Sequence, residues 1–560
     1  MATIAIDLGA TYSSVCVYEN NVPKLIPNSL GKYITPTVVS ILESENIVVG
    51  EGAKLNTNTS KLASNFIQYL GTQTRISVDD KSYTAVKMTS FLLRSLKNDA
   101  EKYLNTPVTE AVITVPTHFN DHQRHAIKFA GELAGLYVSK LINAPSAITL
   151  NYITQKNISE GTFLIVDFGG NSLGVSITSY FNGIIEVISS NSNTRIGGQY
   201  IDKIIAEYFC ENNGVDFDKL SYSEQIILLQ KAEIIKKILS KSPYAFLECE
   251  INEKTYNLNL SETILEQLCN KLFEKCIALI RKTITESFIA MSEINDIILV
   301  GGISKLNIFR NYLDNNLKIH HTLFNPDTAE VFGAGHFLGN SQITITDICP
   351  FSLGVATYIN QIDKIPTMTT IIPKNHILPV SKCSTFYTLE DNQTDIKIEI
   401  FKGENYLLEK NEKLDEIIIN VPPNKAGKEF VKVYFSYDIN GVLKVDTLSS
   451  DGDKKSLIIA DKSLYFSKAR LNMEINKLDK VKFAYLQEQD FITNLIKQAD
   501  EIYAEAGGDN KIEISRALEF FLTQMQTNSE VKKRRLLNWF FNFIEDMKTN
   551  IEDKWNGFII

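Results

Sequence analysis

Two aspartates in this sequence stand where an apolar run ends and a glycine-containing turn begins. Asp7 follows the run 4–6 and precedes Gly9, and Asp167 follows the run 163–166 and precedes two glycines. An apolar run, a tight turn and a second alternating run predict a β-hairpin. The glycines leave backbone N–H groups uncovered for an anion, and the carboxylate at the strand end suits a hydrated cation. Taken alone, either motif is more often only a hairpin.

The two motifs repeat one plan at an interval of 160 positions. A supersecondary unit that recurs at such an interval indicates a duplicated domain whose halves face each other across a cleft. Two opposed hairpins of this kind would hold a polyphosphate and its Mg²⁺ from both sides. A third segment, 296–302, reads as a strand that ends in Gly301 and Gly302, which permits close backbone approach to a flat ligand.

Composition predicts the broad class of the protein. A chain of 560 residues is too long for one core, and a net charge of −9 argues against binding to a nucleic-acid backbone. Seven cysteines without a CxxC pair favour a reducing, cytoplasmic compartment. We find neither a signal-peptide pattern nor an apolar run long enough to span a bilayer. The expectation is a soluble cytoplasmic protein of several domains, without nucleic-acid or membrane partners and most simply a monomer.

The elements that must position these residues alternate regularly up to about residue 340. Apolar residues at helical spacing predict helices over 89–104, from Asn120 or Asp121 to about Gly135, over 223–240 and over 261–286. His118, His122 and His125 fall at i, i+4 and i+7, which could be a metal-binding face. Because no cysteine or carboxylate cluster accompanies them, we interpret this segment as a surface helix.

The pattern changes near residues 341–350. Short alternating strands separated by polar turns follow, which predicts an antiparallel β-sandwich, and from about Ser467 the pattern is helical again. The basic run Lys532–Arg535 lies at helical spacing and is interpreted as a solvated helix end.

This combination resembles the 70-kilodalton heat-shock chaperone (DnaK) family over essentially the whole chain. The matching blocks are Asp7-Leu-Gly9-x-Thr11-Tyr12-Ser13, Ala111-Val-Ile-Thr-Val-Pro116-x-x-Phe119-Asn-Asp-x-Gln-Arg124, Asp347-Ile-Cys-Pro350-Phe-Ser-Leu-Gly354 and Phe386-x-Thr-x-Glu390-Asp-Asn-Gln393. The short C-terminal part, Thr346-Asp-Ile-Cys-Pro350 and Phe435-Ser-Tyr-Asp-Ile-Asn-Gly441 are similar to the shorter bacterial HscC-type branch.

The resemblance implies a multidomain protein. It predicts a duplicated actin-like, ribonuclease-H-like α/β nucleotide-binding domain over 1–340 and an interdomain linker over 341–348. An antiparallel β-sandwich that binds peptides would then span 349–464, and a short α-helical lid would span 465–560. The cofactors implied are ATP or ADP and Mg²⁺.

The resemblance also assigns the nucleotide site residue by residue. Asp7 and Asp167 would hold Mg²⁺ through water and would act in catalysis together with Ser172. Lys305 replaces an arginine that stacks on adenine in the family, and lysine stacks less well. The nucleotide-binding positions would be Gly9, Ala10, Thr11, Tyr12, Gly169, Gly170, Asn171, Gly197, Gly198, Glu233, Lys236, Lys237, Ser240, Gly301, Gly302, Lys305 and Asp327.

Several positions depart from the family pattern. Ala10 replaces a phosphate-contacting threonine, and the turn 169–174 has lost one glycine and one acid. The catalytic lysine of the family falls at Ile67 or Gln68, and the glutamate that orders the attacking water falls at Ala144. Loss of one such group typically costs about 10²–10³ in rate. ATP hydrolysis is therefore predicted to be weak or absent, while nucleotide binding can survive.

The remaining family positions concern peptides, co-chaperones and communication between domains. Pro116, Arg124 and Asp347 match the interdomain switch, and Lys140, Asn143 and Asp347 match contacts of J-domain co-chaperones. A nucleotide-exchange factor is a further implied partner. Two threonines in the linker, Thr344 and Thr346, predict weaker linker docking. The cleft for unfolded or extended apolar polypeptides would be formed by Val355, Tyr358, Phe386, Leu389, Ile396 and Ile398, unless these residues are simply sandwich core.

Two functions remain open from the sequence. The first is a chaperone of this type that binds ATP and apolar peptides, with an ATPase that is weak or depends on a partner. The second is a regulatory or scaffold protein of the same fold that is held in one nucleotide state and acts on another chaperone or partner protein. A sugar kinase is disfavoured because the predicted sandwich and lid have no place in one.

Overall fold

The computed structural model describes residues 2–41, 46–54, 62–79, 81–252, 254–317, 320–339, 343–358, 366–437, 443–459, 488–505 and 508–525, and seven positions between 536 and 547. Up to residue 346 the strands are β1 (Ala2–Leu8), β2 (Tyr12–Glu19), β3 (Val22–Ile26), β4 (Thr35–Pro36), β5 (Val38–Ile41), β6 (Ile47–Val49), β7 (Leu62–Ser64), β8 (Arg75–Val78), β9 (Lys81–Thr84), β10 (Val108–Val115), β11 (Tyr137–Asn143), β12 (Gly161–Phe168), β13 (Leu173–Phe181), β14 (Ile184–Asn193), β15 (Tyr244–Ile251), β16 (Lys254–Ser261), β17 (Asp296–Val300), β18 (His321–Leu323) and β19 (Thr344–Thr346).

Two six-stranded sheets share one topology. The first has the order β11-β10-β1-β2-β3, with β4 on β2, and the second has the order β18-β17-β12-β13-β14-β19. We call the part built on the first sheet (2–143) the first lobe and the part built on the second sheet (161–323) the second lobe. In each sheet a hairpin is antiparallel and the next strands run parallel to its first strand. Asp7 lies opposite Thr114 and Asp167 lies opposite Val300 on these parallel neighbours. Both predicted hairpins are therefore confirmed, and the shared strand order is what a duplicated domain would have.

Helices cover these sheets, and the sequence explains where several of them begin. Thr84 caps the helix that begins at Ala85, and both Asn120 and Ser221 form capping boxes, at the helices that begin at Asp121 and Tyr222, which satisfy free backbone N–H groups. In this region the helices are α1 (Glu51–Lys54), α2 (Ala85–Leu104), α3 (Asp121–Leu133), α4 (Ala144–Lys156), α5 (Gly198–Asn212), α6 (Tyr222–Ile238), α7 (Glu262–Ser287), α8 (Asn307–Leu317) and α9 (Ala329–Gly339).

The helices α4 and α9 pack tightly against each other between the two sheets. A side chain at Gly333 would overlap the carbonyl group of Ala147, so only glycine permits this approach. Helix α9 also packs on β1, β2 and β3, where the thiol of Cys16 donates to the carbonyl of Val331 at 3.4 Å. This packing brings the first turn of α9 to the floor of the cleft between the sheets.

The segment from residue 349 to 459 forms a separate hydrophobic core between two antiparallel four-stranded sheets. The strands are β20 (Leu353–Tyr358), β21 (Pro366–Ile372), β22 (Val380–Tyr387), β23 (Asp395–Lys402), β24 (Glu412–Asn420), β25 (Phe430–Tyr437), β26 (Leu443–Ser449) and β27 (Lys454–Ile458). The sheets have the orders β21-β20-β23-β24 and β22-β25-β26-β27. On β25, Val431, Val433, Phe435 and Tyr437 alternate inward and are buried, as expected for a strand with one buried face.

The segment that joins these parts is itself a strand. β19 pairs in parallel with β14, and the backbone N–H of Thr344 donates to Gly183 at 2.9 Å. Ile343 and Ile345 pack on the cores beneath, while Thr344 remains exposed. The linker is thus docked, and how tightly the two threonines allow it to bind stays a prediction.

Helices α10 (Glu488–Glu505) and α11 (Gly508–Gln524) follow, with helical positions up to 547. The rings of Phe521 and Phe540 stack in their core at 4.1 Å, and Leu30 of the first lobe packs against it. The basic run 532–535 lies outside the described residues. Among the helices that are described, none combines the length and the apolar composition required for a membrane span.

Candidate functional site

The two predicted metal-binding carboxylates lie at equivalent strand ends. Burial raises the pKa of Asp7 to about 6. Thr114 donates its hydroxyl to Asp7 at 2.6 Å and opposes this rise. Burial and then the charge of Asp7 raise the pKa of Asp167 to about 7. Two neighbouring carboxyl groups that are shielded from water resist ionisation, because each negative charge repels the other. A divalent cation between them would lower both pKa values again.

A third acid, Glu330 in the first turn of α9, was missed from the sequence. Its side chain is only 9% exposed. Burial first, then the charges of Asp167 and Asp7, raise its pKa well above the ordinary value. The available signal was an acid that follows the turn 325–327 at the start of a helix rich in small residues. The floor of the cleft therefore carries three mutually repelling carboxyl groups.

Glycines bring the turns of both hairpins and the start of α5 together. A side chain at Gly170 would overlap the hydroxyl of Thr11, and one at Gly197 would meet the carbonyl oxygen of Gly170 at 2.5 Å. The hydroxyl oxygen of Thr11 is buried without a hydrogen-bond partner among the described residues. Such a hydroxyl is free to donate to an oxygen atom of a bound ligand, as the predicted phosphate contact of Thr11 requires.

Three amide side chains cross the cleft beside these turns. Gln199 donates to the side-chain oxygen of Asn65 at 2.6 Å, and Asn171 donates to the same atom at 3.4 Å. The side-chain oxygen of Asn171 is buried and unpartnered within the described part of the chain. Ile67, by contrast, is 2% exposed in the core of the first lobe, and Gln68 faces solvent. The residue of this segment that reaches the cleft is therefore Asn65.

At the other end of the cleft, Glu233 of α6 joins the two lobes. Tyr12 donates its hydroxyl to Glu233 at 3.3 Å, while Lys237 and Lys54 lie 2.7 Å and 3.7 Å from its carboxylate oxygens. Burial opposes ionisation of Glu233, but Lys237 and Lys54 outweigh it and lower the pKa to about 2. Tyr12 and Lys54 belong to the first lobe and Glu233 to the second, so this cluster holds the cleft closed.

The remaining predicted adenosine contacts have definite partners. Lys236 is buried, donates to the carbonyl of Gly198 at 2.9 Å and lies 2.6 Å from Asp202. Lys305 pairs with Asp327, and Ser240 donates to the carbonyl of Lys237 at 2.7 Å. The Cβ position of Gly302 faces open space, which leaves its backbone approachable. Lys236 is thus engaged within its own lobe, whereas Lys305 and Asp327 remain accessible.

A cavity of about 30 Å³ is bordered by Ala144, the position to which the resemblance assigns a glutamate. It brings together the predicted residues Pro116, Ala144, Asp167 and Ser172, and also His118. The helix begins at Asp121 with Asn120 as its cap, as predicted, so His118 lies before the helix and its interpretation as a surface-helix residue is wrong. The strand β10 ends at Val115, and the following loop turns His118 toward the cavity.

The predicted interdomain residues Arg124 and Asp347 belong to a buried polar network. Arg124 donates to Phe119 at 2.9 Å and to the side chain of Asn143 at 2.6 Å. Ser146 donates to Asp347 at 2.8 Å. Asn143 and Asp347 are buried here, so a J-domain contact at these two positions would require the parts to move apart.

The predicted peptide-cleft residues are divided between core and surface. Val355, Ile396 and Ile398 are buried in the sandwich core, and Phe386 packs against it. Leu389 is exposed. Tyr358 ends β20, and its side chain lies outside the described residues.

Lys374, in the loop after β21, connects the sandwich to the second lobe. It donates to Asn191 and to Glu286, each at 2.9 Å. Asn191 also lines the cavity beside Asp167. The site and the sandwich are therefore joined through one polar side chain.

Comparison with protein families agrees with this arrangement. The family model described as Hsp70 protein matches residues 3–74 and 55–556, which together span nearly the whole chain. The match confirms the predicted family, whereas the HscC-type branch stays a prediction. This chain belongs to the Hsp70 family.

Proposed function

We propose that this protein is a chaperone of the Hsp70 type that binds ATP or ADP with Mg²⁺ and extended apolar polypeptides, and that hydrolyses ATP slowly or not at all. Family membership implies a chaperone function with ATP binding. The slow or absent hydrolysis is our inference from the site. The proposal also divides the chain into a nucleotide-binding domain (1–340), a linker (341–348), a sandwich (349–464) and a lid (465–560). It includes a cytoplasmic location.

The residues of the cleft fit a magnesium nucleotide. The unpartnered hydroxyl of Thr11 and the close-packed glycines Gly170 and Gly197 suit phosphate oxygens. Asp7 and Asp167 would hold Mg²⁺ through water, and the cation would neutralise both the carboxylates and the phosphates. Glu233, Lys237, Lys305 and Asp327 would hold the adenosine end.

The proposal of weak hydrolysis rests on the lining of the cavity beside Ala144. Among the described residues that line it there is no lysine, arginine or glutamate, although Asp167 and Ser172 are present. Phosphoryl transfer depends on positioned charges that stabilise the transferred group. In their absence, binding energy from the rest of the cleft holds the substrate without accelerating its cleavage.

A nucleotide-locked regulator of another chaperone or partner protein is the second candidate. It is favoured by the closed cleft at Glu233 together with the docked strand β19. Such a protein would present one arrangement of sandwich and lid for as long as its nucleotide remained bound. J-domain proteins and nucleotide-exchange factors are proposed partners for either function.

Calorimetry and peptide binding test the proposal. We expect MgATP and MgADP to bind with clear heats, and a fluorescent extended apolar peptide to bind with an affinity that depends on which nucleotide is present. A peptide affinity that is the same with MgATP and with MgADP would favour the locked regulator. Absence of nucleotide binding would contradict both candidates.

A further inference from the structure

His118 lies in the loop between β10 and α3, at the wall of the cavity beside Ala144. Its ring packs edge-on against Phe119, with centroids 5.4 Å apart. Neither ring nitrogen has a hydrogen-bond partner among the described residues, and the side chain is only partly buried. The cavity therefore offers the ring a place for a hydrogen-bond partner.

The surroundings of His118 keep the imidazole neutral. Burial and the nearby charge of Arg124 lower its pKa to about 4. Asp167 faces the same cavity from β12. A neutral imidazole always offers one nitrogen as a hydrogen-bond acceptor, whereas the charged form offers none.

The cavity is large and polar enough for one ordered water. Its volume of about 30 Å³ exceeds what one water requires. Besides the imidazole, polar side chains of Asp167, Ser172 and Ser176 line it. A water held there would have between two and four polar partners, which is the usual number for a buried water.

We propose that His118 positions the attacking water in place of the missing glutamate and thereby supports the residual hydrolysis of ATP. The inference rests on the proposed nucleotide-binding function. The water oxygen forms a bond to the terminal phosphorus while the bond from that phosphorus to the ADP oxygen breaks. One water proton stays on the attacking oxygen, which becomes a hydroxyl of the released inorganic phosphate, and the other passes to a phosphate oxygen and from there to solvent. His118 accepts a hydrogen bond that orients the water, and with so low a pKa it does not keep the proton.

The rate of a single turnover of bound ATP is the first test. His118→Phe keeps an aromatic ring that packs on Phe119 but removes both nitrogens, and we expect the loss of positioning to slow product formation by about 10²-fold. His118→Gln retains an acceptor and should preserve much of the rate. His336→Phe, a matched histidine on α9 outside the cavity, should have no effect.

Calorimetry separates this inference from the proposed function. Unchanged affinity for ATP in His118→Phe, together with the slower rate, supports the inference. Equal rates in the wild type and His118→Phe overturn it, as does a wild type that binds ATP but forms no product. A wild type that does not bind ATP overturns the proposed function and the inference with it.

Nuclear magnetic resonance of ¹³C-labelled histidine gives a readout that does not depend on turnover or on the folding of a variant. The His118 ring signal should remain that of a neutral imidazole down to about pH 5, and it should shift when a non-hydrolysable ATP analogue and Mg²⁺ are added. A ring signal that is insensitive to the analogue while calorimetry reports binding would overturn the inference.

Discussion

At the scale of single residues, Asn171 has the clearest energetic cost among the departures from the family pattern. It lies in the turn 169–174, which has lost one glycine of that pattern. Its side-chain oxygen is buried without a partner in the described structure, and its amide nitrogen reaches Asn65 at only 3.4 Å. A buried acceptor without a donor costs about 1–3 kcal/mol. An acceptor that faces phosphate oxygens adds electrostatic repulsion to that cost.

Asn171→Gly should therefore tighten the binding of MgATP several-fold. The change removes the unpartnered oxygen and restores an open backbone at the turn. Titration calorimetry measures the affinity, and Asn65→Gly is the control. It removes the acceptor of both Asn171 and Gln199 without altering the turn, and glycine suits the left-handed backbone at this position. Weaker binding by Asn171→Gly would show that the amide contacts the nucleotide favourably.

Only part of the site can be predicted from residue patterns. Asp7, Asp167 and Ser172 lie in local motifs, and they occupy neighbouring positions in the structure. Glu330, His118 and Asn65 reach the cleft because distant elements pack together, and no local pattern encodes that packing. Glu330 depends on α9 lying against β1 and β2, and Asn65 on the meeting of two lobes.

At the scale of elements, helix α6 closes the mouth of the cleft through Glu233. The carboxylate pairs with Lys237 on its own helix and with Lys54 on the opposite lobe. The pKa of Glu233 is lowered to about 2. Its stabilisation of the closed cleft is therefore fully present above the ordinary pKa of a glutamate and is lost only as pH falls toward 2.

Glu233→Gln should accelerate dissociation of ADP roughly fivefold, because two partly exposed ion pairs are lost. Stopped-flow release of a fluorescent ADP measures this rate, which in the wild type should be nearly constant between pH 6 and 8. Glu207→Gln, in an exposed pair with Lys203 on α5, is the matched control. Unchanged release from Glu233→Gln would contradict the closing role of α6.

The loop after β21 holds the sandwich against the second lobe through Lys374. Its ammonium group is mostly buried and donates to Asn191 and Glu286. Lys374→Ala leaves these two groups without their donor, so docking should weaken by about tenfold or more. Hydrogen exchange at the Thr344 amide, which bonds to Gly183, should speed up accordingly. Lys382→Ala on exposed β22 should leave the exchange rate unchanged.

The sequence predicts individual strands and hairpins better than it predicts how distant elements pair or pack. Apolar alternation and glycine turns indicate the hairpins β1–β2 and β12–β13, and their recurrence indicates the duplicated sheets. The pairing of β19 with β14 joins segments 160 residues apart, so it follows from no local pattern. The position of the linker therefore had to come from the structure.

At the scale of the whole molecule, Asp121 links docking of the sandwich to pH. It is fully buried, and the backbone N–H of Leu443 in the sandwich donates to it at 3.1 Å. Burial raises its pKa to about 7 although Arg124 and Lys402 oppose the shift. When the parts separate, the carboxyl group regains water and its ordinary pKa.

Docking should therefore weaken as pH rises. A raised pKa in the docked form means that the contribution of Asp121 is fully present below its ordinary pKa and is lost as pH rises through about 7. Between pH 6 and 8 the docking equilibrium should fall about tenfold. Small-angle X-ray scattering measures the docked fraction, and Asp121→Asn should abolish this dependence. Equal dependence in both proteins would assign the effect to other groups.

The central claim is that the cleft holds ATP but lacks the charges that cleave it. The most direct test mixes excess protein with radiolabelled ATP and follows the nucleotide that stays bound, in the wild type, in Ala144→Glu and in the uncharged control Ala144→Gln. Ala144→Glu places a carboxylate in the cavity beside Asp167. We predict product formation at least about 10²-fold faster in Ala144→Glu than in the other two proteins. Wild-type turnover as fast as that of Ala144→Glu would contradict the account.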